Sequence, residues 1–293
     1  MVAEAVAIVV DEPVVGIVLA RGLGSRMRAA QPDAVHPLTP AQRAAAAAGN
    51  KGMMPLTGAD GRERPFLDWV LSAMADAGFT DVALVVAPSP SDGTADPLRE
   101  YYTGRGTPRR LRLSFVVQAA PRGTADAVVA AAVWIAGRAF VVLNADNRYD
   151  TTDLRALREA PGPALPVYTR AELVARSGIA AERVAAFALL QITPDGDLAD
   201  IVEKPDAALM ASAGPQALIS MNCWRGDTRV IQACRDVALS ARGEFELPAA
   251  MRLAITRGVR IRAIPATGPV LDLSRQDDVA GVVARLQAEE AHP

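Results

Sequence analysis

The chain has 293 residues, of which 51% are hydrophobic and 22% charged, with a formal net charge of −2 and two cysteines. This length suffices for one large α/β domain or two small ones with a substantial buried core. The near-neutral charge argues against a broad electrostatic surface for nucleic acid, and two cysteines are too few for a disulfide framework.

The first ten residues are apolar, but they contain Glu4 and lack the basic start of a signal peptide. An apolar run of this length is also too short to span a membrane. We therefore expect a cytoplasmic protein without a membrane partner.

Val14 opens the first predicted strand, which runs into Arg21-Gly-Leu-Gly-Ser-Arg26. Gly22 and Gly24 permit backbone angles and a close approach that a Cβ would block, so successive N–H groups can turn towards an anion. Arg26 adds a permanently charged fork for phosphate oxygens. The stretch predicts a phosphate-holding loop, with a tight turn that holds no ligand as the alternative.

Residues 29–50 are an alanine-rich insertion after this loop. Thr39 can cap a helix that has Pro40 at its first position, and Gly49 can end it. We predict a short helix over residues 41–48, which is either a lid over the site or a surface insertion.

After this insertion, apolar runs of strand length alternate with segments of helical period. The alternation predicts a mostly parallel sheet flanked by helices, and Asp195-Gly196 predicts a hairpin turn. The strands are predicted at residues 82–87, 113–118, 139–143, 164–168, 184–192, 198–202, 219–224 and 259–264. The helices are predicted at residues 66–77, 97–102, 125–136, 152–159, 228–239 and 278–290, with residues 170–182 irregular.

Several polar residues directly follow a predicted strand. Gly22, Gln118 and Asp146 do so, and ligands of open α/β sheets bind beyond the carboxyl ends of the strands, so we expect these three to lie together. Asp146 either binds a metal ion or is a solvated turn residue. Glu203-Lys204 is a charged pair at a further strand end.

Seven short motifs stand in order along the chain: Leu19-Ala-Arg-Gly-Leu-Gly-Ser-Arg-Met27, Lys51, Gln118 with Gly123-Thr-Ala125, Asn144-Ala-Asp146, Glu203-Lys-Pro205, Gly243-Glu244 and Leu271-Asp-Leu273. In this order and spacing they resemble the sugar-1-phosphate nucleotidylyltransferases, from about residue 14 to 279. The resemblance implies an α/β, Rossmann-like and GT-A-like fold, with a mostly parallel sheet in a single domain over residues 1–293. Residues 14–150 would be the nucleotide-binding half and residues 151–293 a smaller sugar-phosphate-binding half.

The reaction that the resemblance implies joins a nucleoside triphosphate and a sugar 1-phosphate and releases pyrophosphate. These two polyanions repel each other, so cations must converge on them. Arg26 and Lys51 would hold the triphosphate, Lys204 would bind the sugar phosphate, and Asp146 and Asp272 would share a magnesium ion. The nucleotide-binding positions would be Ala20, Gly22, Gly24, Ser25, Gln118, Gly123 and Thr124, and the sugar-binding positions Glu203, Asn222 and Ala188.

Several positions depart from the family pattern. Arg21-Gly22 stands for the usual Gly-Gly, and Lys51-Gly52 for the usual Lys-Pro. Ala145 replaces a glycine and Phe187-Ala188 replaces Tyr-Gly, so both are expected to add a Cβ near the sugar. These changes predict a modified sugar or a sugar-like cyclitol 1-phosphate as the second substrate.

The residues leave other roles open. Lys204 could be a surface lysine with Glu203 as its exposed partner. Asp272 could merely cap the last helix, and Asn222 could be a satisfied amide of the core.

Other functions also stay open. A nicotinamide-dependent dehydrogenase is disfavoured, because a third glycine is missing after Gly24. A catalytically silent regulator that binds nucleotide sugars is the second candidate. The string Gly123-Thr-Ala-Asp-Ala127 is most similar to the adenylyl-transferring branch, but relatives that use other bases carry similar strings. The sequence also leaves the oligomeric state open, with a homo-oligomer as one alternative.

Overall fold

The structure is a computed structural model that describes residues 13–22, 24–29, 38–90 and 96–293, so the interpretation of residues 1–10 lies outside it. Its strands are β1 Val15–Leu19, β2 Pro55–Thr57, β3 Glu63–Pro65, β4 Asp81–Val86, β5 Arg112–Val117, β6 Phe140–Asn144, β7 Asn147–Arg148, β8 Ala164–Thr169, β9 Leu189–Ile192, β10 Leu198–Val202, β11 Leu218–Ser220, β12 Trp224–Gly226, β13 Arg262–Pro265 and β14 Leu271–Asp272.

The α-helices alternate with these strands along most of the chain. They are α1 Ser25–Arg28, α2 Pro40–Ala48, α3 Phe66–Asp76, α4 Pro97–Thr103, α5 Thr124–Ala130, α6 Ala132–Ile135, α7 Thr151–Glu159, α8 Arg170–Ala175, α9 Ala181–Val184, α10 Ala207–Ala213, α11 Thr228–Asp236, α12 Leu247–Thr256 and α13 Asp278–Leu286.

A ten-stranded mixed sheet runs in the order β10-β9-β11-β8-β12-β6-β1-β4-β5, with β13 beside β8. The four strands β6, β1, β4 and β5 are parallel, which confirms the predicted parallel core. Leu19 at the end of β1 is level with Val85 of β4 and Asn144 of β6. The loops that follow these strands therefore leave the sheet at one edge.

The strands of the second half pair mainly antiparallel. β12 lies antiparallel between β6 and β8, and the same sheet continues through β11 to the predicted hairpin of β9 and β10. The strand predicted over residues 219–224 is wrong as one unit. It is divided between β11 and β12, because Asn222 has a φ of +61° that an extended strand does not permit.

The segment predicted to be irregular, residues 170–182, instead contains α8 and the start of α9. Thr169 and Glu172 form a reciprocal capping box at the start of α8, a signal that the sequence carries as Thr-x-x-Glu. Because α9 continues to Val184, the strand predicted over residues 184–192 begins only at Leu189.

The predicted alanine-rich helix of the insertion is confirmed as α2. Thr39 and Gln42 form a capping box, Pro40 is the first helical residue, and Gly49 ends the helix with a φ of +71°. The helix predicted over residues 125–136 is interrupted at Ala131, between α5 and α6.

Helix α3 packs directly on the parallel core of the sheet. Phe66, Leu67 and Trp69 on this helix are almost completely buried. A Cβ on Gly16 of β1 would lie 2.2 Å from Met74 Cε, so the small residue lets the helix approach the strand. No helix of the described residues is long and apolar enough to cross a membrane.

Candidate active site

A cavity of about 1190 Å³ opens beyond the end of β6 and extends towards the antiparallel half of the sheet. It is lined by seven of the predicted site residues, Arg26, Asp146, Ala188, Glu203, Lys204, Asn222 and Asp272. The remaining predicted residues are not among its lining residues, namely Ala20, Gly22, Gly24, Ser25, Lys51, Gln118, Gly123 and Thr124.

The two aspartates predicted to share a metal ion are neighbours in space. Asp146 follows β6, and Asp272 ends the short strand β14, which pairs antiparallel with β7. The N–H of Leu273 donates to the carbonyl oxygen of Asp146 at 2.8 Å. The fold thus brings both carboxylates into the same wall of the cavity.

A cation accompanies each carboxylate. Lys51 Nζ lies 2.6 Å from Asp146 Oδ2, so the lysine after the alanine-rich insertion reaches the cavity through this aspartate. Arg183 forms an ion pair with Asp272, and Ser274 Oγ donates to the other oxygen of Asp272 at 2.6 Å. Burial raises the pKa of Asp272 to about 6; the Arg183 guanidinium opposes this shift and the Asp146 carboxylate adds to it.

Asp272 does not cap the last helix. Its oxygens are engaged by Arg183 and Ser274, whereas Asp278 accepts the backbone N–H groups of Ser274 and Arg275 at 2.8 and 2.7 Å. The capping interpretation of Asp272 is therefore wrong: the residue at the N-cap of the last helix is Asp277, and Asp278 holds the turn that precedes the helix.

The cavity is also lined by Glu203, Lys204 and Asn222, which are all exposed. The interpretation of Asn222 as a core amide is therefore wrong. Lys204 and Asn222 have φ angles of +48° and +61°. Residues other than glycine rarely adopt this backbone conformation, which costs of order 1–3 kcal/mol. Partial burial raises the pKa of Glu203, and the nearby Glu246 carboxylate adds to this shift.

The glycine loop after β1 is in contact with helix α2. Gly24 has a φ of +63°, and a Cβ at this position would lie 2.0 Å from the carbonyl oxygen of Gly49. Arg28 also donates to the carbonyl oxygen of Ala48 at 2.9 Å. By contrast, no atom of the described residues lies within 4 Å of a Cβ built on Gly22. The protein therefore requires glycine at position 24, whereas at position 22 space is left for a ligand.

Gln118, after β5, is bound into the loop that leads to α5. Its side-chain Nε2 donates to the carbonyl oxygen of Gly123 at 3.0 Å and to Asp126 Oδ2 at 2.8 Å. Arg21, the residue that departs from Gly-Gly, donates to the carbonyl oxygens of Gln118 and Ala119. The extra cation thus connects the glycine loop with the Gln118 loop.

Gly123 and Thr124 are packed against the second half of the chain. A Cβ on Gly123 would lie 2.4 Å from the carbonyl oxygen of Phe245, and Thr124 Oγ1 accepts the N–H of Leu247 at 2.8 Å. Both predicted nucleotide-binding residues therefore have structural partners, and the Gly243-Glu244 motif leads into the segment that holds them.

The two departures at Ala145 and Gly52 are neighbours. A Cβ on Gly52 would lie 3.4 Å from the Cβ of Ala145, and Ala145 is buried. The expectation that Ala145 adds a Cβ next to the sugar is therefore wrong, because this side chain faces the protein. Ala188 does line the cavity, together with Phe187.

Sequence reasoning missed four arginines of the cavity, Arg183, Arg242, Arg275 and Arg285. Arg183 pairs with both Asp272 and Asp278, and Arg242 pairs with Glu246. No local pattern distinguishes them among the 31 lysines and arginines of the chain. Arg183 is identified by its ion pairs with Asp272 and Asp278, which lie far from it in the chain.

Comparisons with known proteins agree with this arrangement. A family model described as nucleotidyl transferase matches residues 47–268. The chain is 25% identical over 247 residues to a glucose-1-phosphate thymidylyltransferase of Mycolicibacterium smegmatis, which covers 83% of this chain and 71% of that protein. It is 22% identical over 267 residues to the low-salt glycan biosynthesis nucleotidyltransferase Agl11 of Haloferax volcanii, which covers 90% of this chain and 63% of that protein.

The fold is similar to that of a solved structure. This is the crystal structure of UDP-glucose pyrophosphorylase complexed with UDP-glucose, with a TM-score of 0.66 and 16% sequence identity. The match covers 93% of this chain and 98% of the other.

Proposed function

We propose that this chain, which belongs to the nucleotidyl transferase family, joins a nucleoside triphosphate and a sugar 1-phosphate into a nucleotide sugar and releases pyrophosphate. The family predicted from the seven motifs is confirmed by the family match. The observation that carries the proposal is the placement of Asp146 and Asp272 in one cavity wall, with Lys51 bound to the first and Arg26 and Lys204 on the same cavity.

The charges around the cavity suit two phosphorylated substrates. Beyond Arg26 and Lys204, its lining includes Arg183, Arg242 and Arg275. A sugar phosphate oxygen has to attack the α-phosphorus of a polyanion, and fixed cations offset the repulsion without the need for a nucleophilic side chain. We assign Arg26 and Lys51 to the triphosphate and leaving pyrophosphate, and Lys204 to the sugar phosphate.

The donor set fits a magnesium ion held partly by substrate. Among the described residues, no group of three or more His, Cys, Asp or Glu side chains is placed to hold a metal. Asp146 and Asp272 supply two adjacent carboxylates, and Mg²⁺ is usually held by one or two carboxylates plus phosphate oxygens and water. When bound, the ion would neutralise charge on the phosphates at the reacting centre. Lys51 and Arg183 balance the two carboxylates within the protein itself.

The sugar side of the proposal rests on Glu203, Asn222 and Ala188. Glu203 and Asn222 offer an acceptor and an amide to hydroxyl groups, and Ala188, which is mostly buried, lines the same cavity. Two relatives are glucose-1-phosphate thymidylyltransferases. Because Ala188 adds bulk to the sugar side, we propose a modified sugar or a sugar-like cyclitol 1-phosphate as the preferred substrate. If glucose 1-phosphate is turned over far faster than every analogue, this part is wrong.

The test is pyrophosphate release on mixing the purified chain with magnesium, one nucleoside triphosphate and one sugar 1-phosphate. All common triphosphates are combined with glucose 1-phosphate and a panel of modified sugar and cyclitol phosphates. Release that requires both substrates supports the enzyme. If nucleotide sugars bind but no combination releases pyrophosphate, the catalytically silent regulator is the correct function.

Other parts of the proposal follow from the arrangement of the chain. The division into a nucleotide half, residues 14–150, and a sugar-phosphate half, residues 151–293, is a proposal within one domain, and strands of both halves share the large sheet. Cys223 and Cys234 are free and buried, which is compatible with a reducing, cytoplasmic compartment.

A further inference from the structure

The side-chain amide of Gln118 is held in one orientation. The two N–H groups of Nε2 donate to two acceptors, the carbonyl oxygen of Gly123 at 3.0 Å and Asp126 Oδ2 at 2.8 Å. Rotation of the amide by half a turn would place Oε1 against both acceptors. Such an arrangement loses two hydrogen bonds and brings oxygen atoms together, so the partners of Gln118 determine which atom is nitrogen.

Asp126 is itself held in place. Arg122 Nη2 lies 2.9 Å from Asp126 Oδ1, the oxygen that Gln118 does not use. The carboxylate is an acceptor at both oxygens when it is ionised, and it therefore accepts from Arg122 on one side and from Gln118 on the other. A neutral amide at position 126 would not impose the same direction on Gln118.

The backbone of Gln118 is also anchored. Its N–H donates to the carbonyl oxygen of Val86 at 3.0 Å, and its carbonyl oxygen accepts from the Arg21 guanidinium. Gln118 is 4% exposed, so the side chain has little freedom to change its position.

The remaining polar atom of the side chain is Oε1. It accepts no hydrogen bond from the described part of the chain, and it is not among the fully buried atoms that lack a partner. Gln118 therefore offers a ligand an acceptor and no donor. Gln118 follows β5 at the edge of the sheet where the glycine loop also leaves.

We propose that Asp126 is a positioning residue that turns Gln118 into a hydrogen-bond acceptor for the nucleobase, so that a base with an N–H group at this edge binds more tightly than an analogue that lacks it. The inference rests on the proposed function, because it assigns the base to Gln118. It names the chemistry that this position recognises: an N–H group of the base, either an exocyclic amino group, as in adenine, or a ring N–H, as in uracil and thymine.

The first experiment measures binding of a nucleotide and of its analogue without the donor, by titration calorimetry and without a sugar phosphate. Purine riboside triphosphate is compared with ATP, and N3-methyl uridine triphosphate with UTP, using the pair whose parent nucleotide binds more tightly. The analogue is expected to bind about 10-fold to 100-fold more weakly than the parent nucleotide, because Oε1 of Gln118 then stays unpaired. Equal affinity of the two nucleotides overturns the inference.

The second experiment repeats the comparison with Asp126→Asn. An asparagine at this position can donate to Oε1, which lets the Gln118 amide turn and present N–H groups to the base. The dissociation constants of the parent nucleotide and the analogue are then expected to differ by about 3-fold or less. A merely structural role would weaken both nucleotides equally and keep the wild-type ratio, and that result also overturns the inference.

Asp236→Asn is the matched control, because Asp236 is an exposed carboxylate that pairs with Arg257 and not with Gln118. Its ratio is expected to equal that of the wild type. If Asp126→Asn does not fold, Gln118→Met, which removes the acceptor at similar volume, is expected to abolish the discrimination instead. Binding and pyrophosphate release are separate readouts, so discrimination in the titration without pyrophosphate release means that only the proposed function fails.

Discussion

At the level of single residues, the cavity combines carboxylates that repel each other with cations that reduce this repulsion. Asp146 and Asp272 are held side by side, and the raised pKa of Asp272 reflects its burial and the neighbouring charge. Lys51 and Arg183 each form an ion pair with one of them. Removal of one partner would leave a poorly compensated charge beside the cavity.

Asp146→Asn is expected to reduce the rate of pyrophosphate release by about 10²-fold to 10³-fold at saturating substrates, because one of the two proposed magnesium ligands loses its charge. The rate is measured in a coupled pyrophosphate assay over a range of magnesium concentrations. Asp236→Asn, an exposed carboxylate away from the cavity, is expected to keep the wild-type rate. Equal rates for the two variants would show that Asp146 does not hold the metal.

Lys204 combines a backbone strain with a proposed role in binding. Lys204 has a φ of +48°, and an alanine at this position would keep the strain of this conformation. The variant Lys204→Gly is therefore expected to be more stable than Lys204→Ala by about 1 kcal/mol. Both variants are expected to raise the KM for the sugar 1-phosphate by a similar factor. Urea denaturation and steady-state kinetics test the two parts. A KM that stays at the wild-type value in both variants would make Lys204 a surface lysine.

At the level of elements, the C-terminal end of helix α2 packs directly against the glycine loop. The carbonyl oxygen of Gly49 at the end of α2 lies directly against Gly24, and Arg28 reaches the carbonyl oxygen of Ala48. The insertion is therefore attached to the glycine loop. A movement of α2 would move the loop with it.

Alanine substitutions at Gly24 and Gly22 test two different roles of the glycine loop, namely folding at position 24 and the approach of a ligand at position 22. Gly24→Ala is expected to lower the free energy of unfolding by about 1–3 kcal/mol, because the new Cβ clashes with Gly49 at a positive φ. Gly22→Ala is expected to change stability by less than about 0.5 kcal/mol but to raise the KM for the triphosphate. Chemical denaturation and kinetics with both variants are the measurements. An unchanged KM in Gly22→Ala would place the phosphates elsewhere.

A second element contact, between α3 and α4, predicts a pH dependence of stability. Asp68 on α3 accepts hydrogen bonds from Tyr101 and Tyr102 on α4 at 2.8 Å each. Burial raises the pKa of Asp68 above its usual value, against the effect of these hydrogen bonds and of the nearby Arg64 and Arg105.

Because the pKa of Asp68 is higher in the folded state, the carboxyl group favours folding most at pH values below its ordinary pKa of 3.8. This contribution is lost as the pH rises through the folded pKa. Asp68→Asn is expected to remove that part of the pH dependence, which urea denaturation measures at pH values above 3.8. A variant with the same curve as the wild type would contradict the raised pKa.

At the level of the whole molecule, one sheet connects most of the segments that line the cavity, while Asp272 lies on the separate two-stranded sheet of β7 and β14. The parallel strands lead into the glycine loop, Gln118 and Asp146, while Glu203 and Asn222 follow the antiparallel strands β10 and β11. The strand β12 joins the two sets, so the cavity lies within a continuous framework.

Ligands that bind across such a framework are expected to stabilise the entire chain in a single transition. The preferred triphosphate with magnesium at about 100 times its Kd adds about 2.7 kcal/mol, which corresponds to a rise in Tm of about 5 °C for a chain of this size. A thermal-shift screen of the common triphosphates measures this rise. If no triphosphate raises Tm with magnesium present, the proposed nucleotide site is wrong.

Much of the fold could be predicted from the sequence because its signals are local. The cap and end of α2, the apolar runs of β1 and β6 and the hairpin turn at Asp195-Gly196 each depend on residues that are close in the chain. The Thr169 capping box was an equally local signal of α8, and the interpretation of that segment as irregular overlooked it. The ordered motifs further identified the family and named Asp146 and Asp272 together.

The tertiary structure decided the contacts between residues that are far apart in the chain. The pairing of Arg183 with Asp272 and the contact of Gly24 with Gly49 have no sequence pattern of their own. Charge and periodicity along a chain specify which side chains are available and how each segment folds. Which carboxylate a given arginine meets depends on strand register and on packing between elements, and these are established only when the whole sheet has formed.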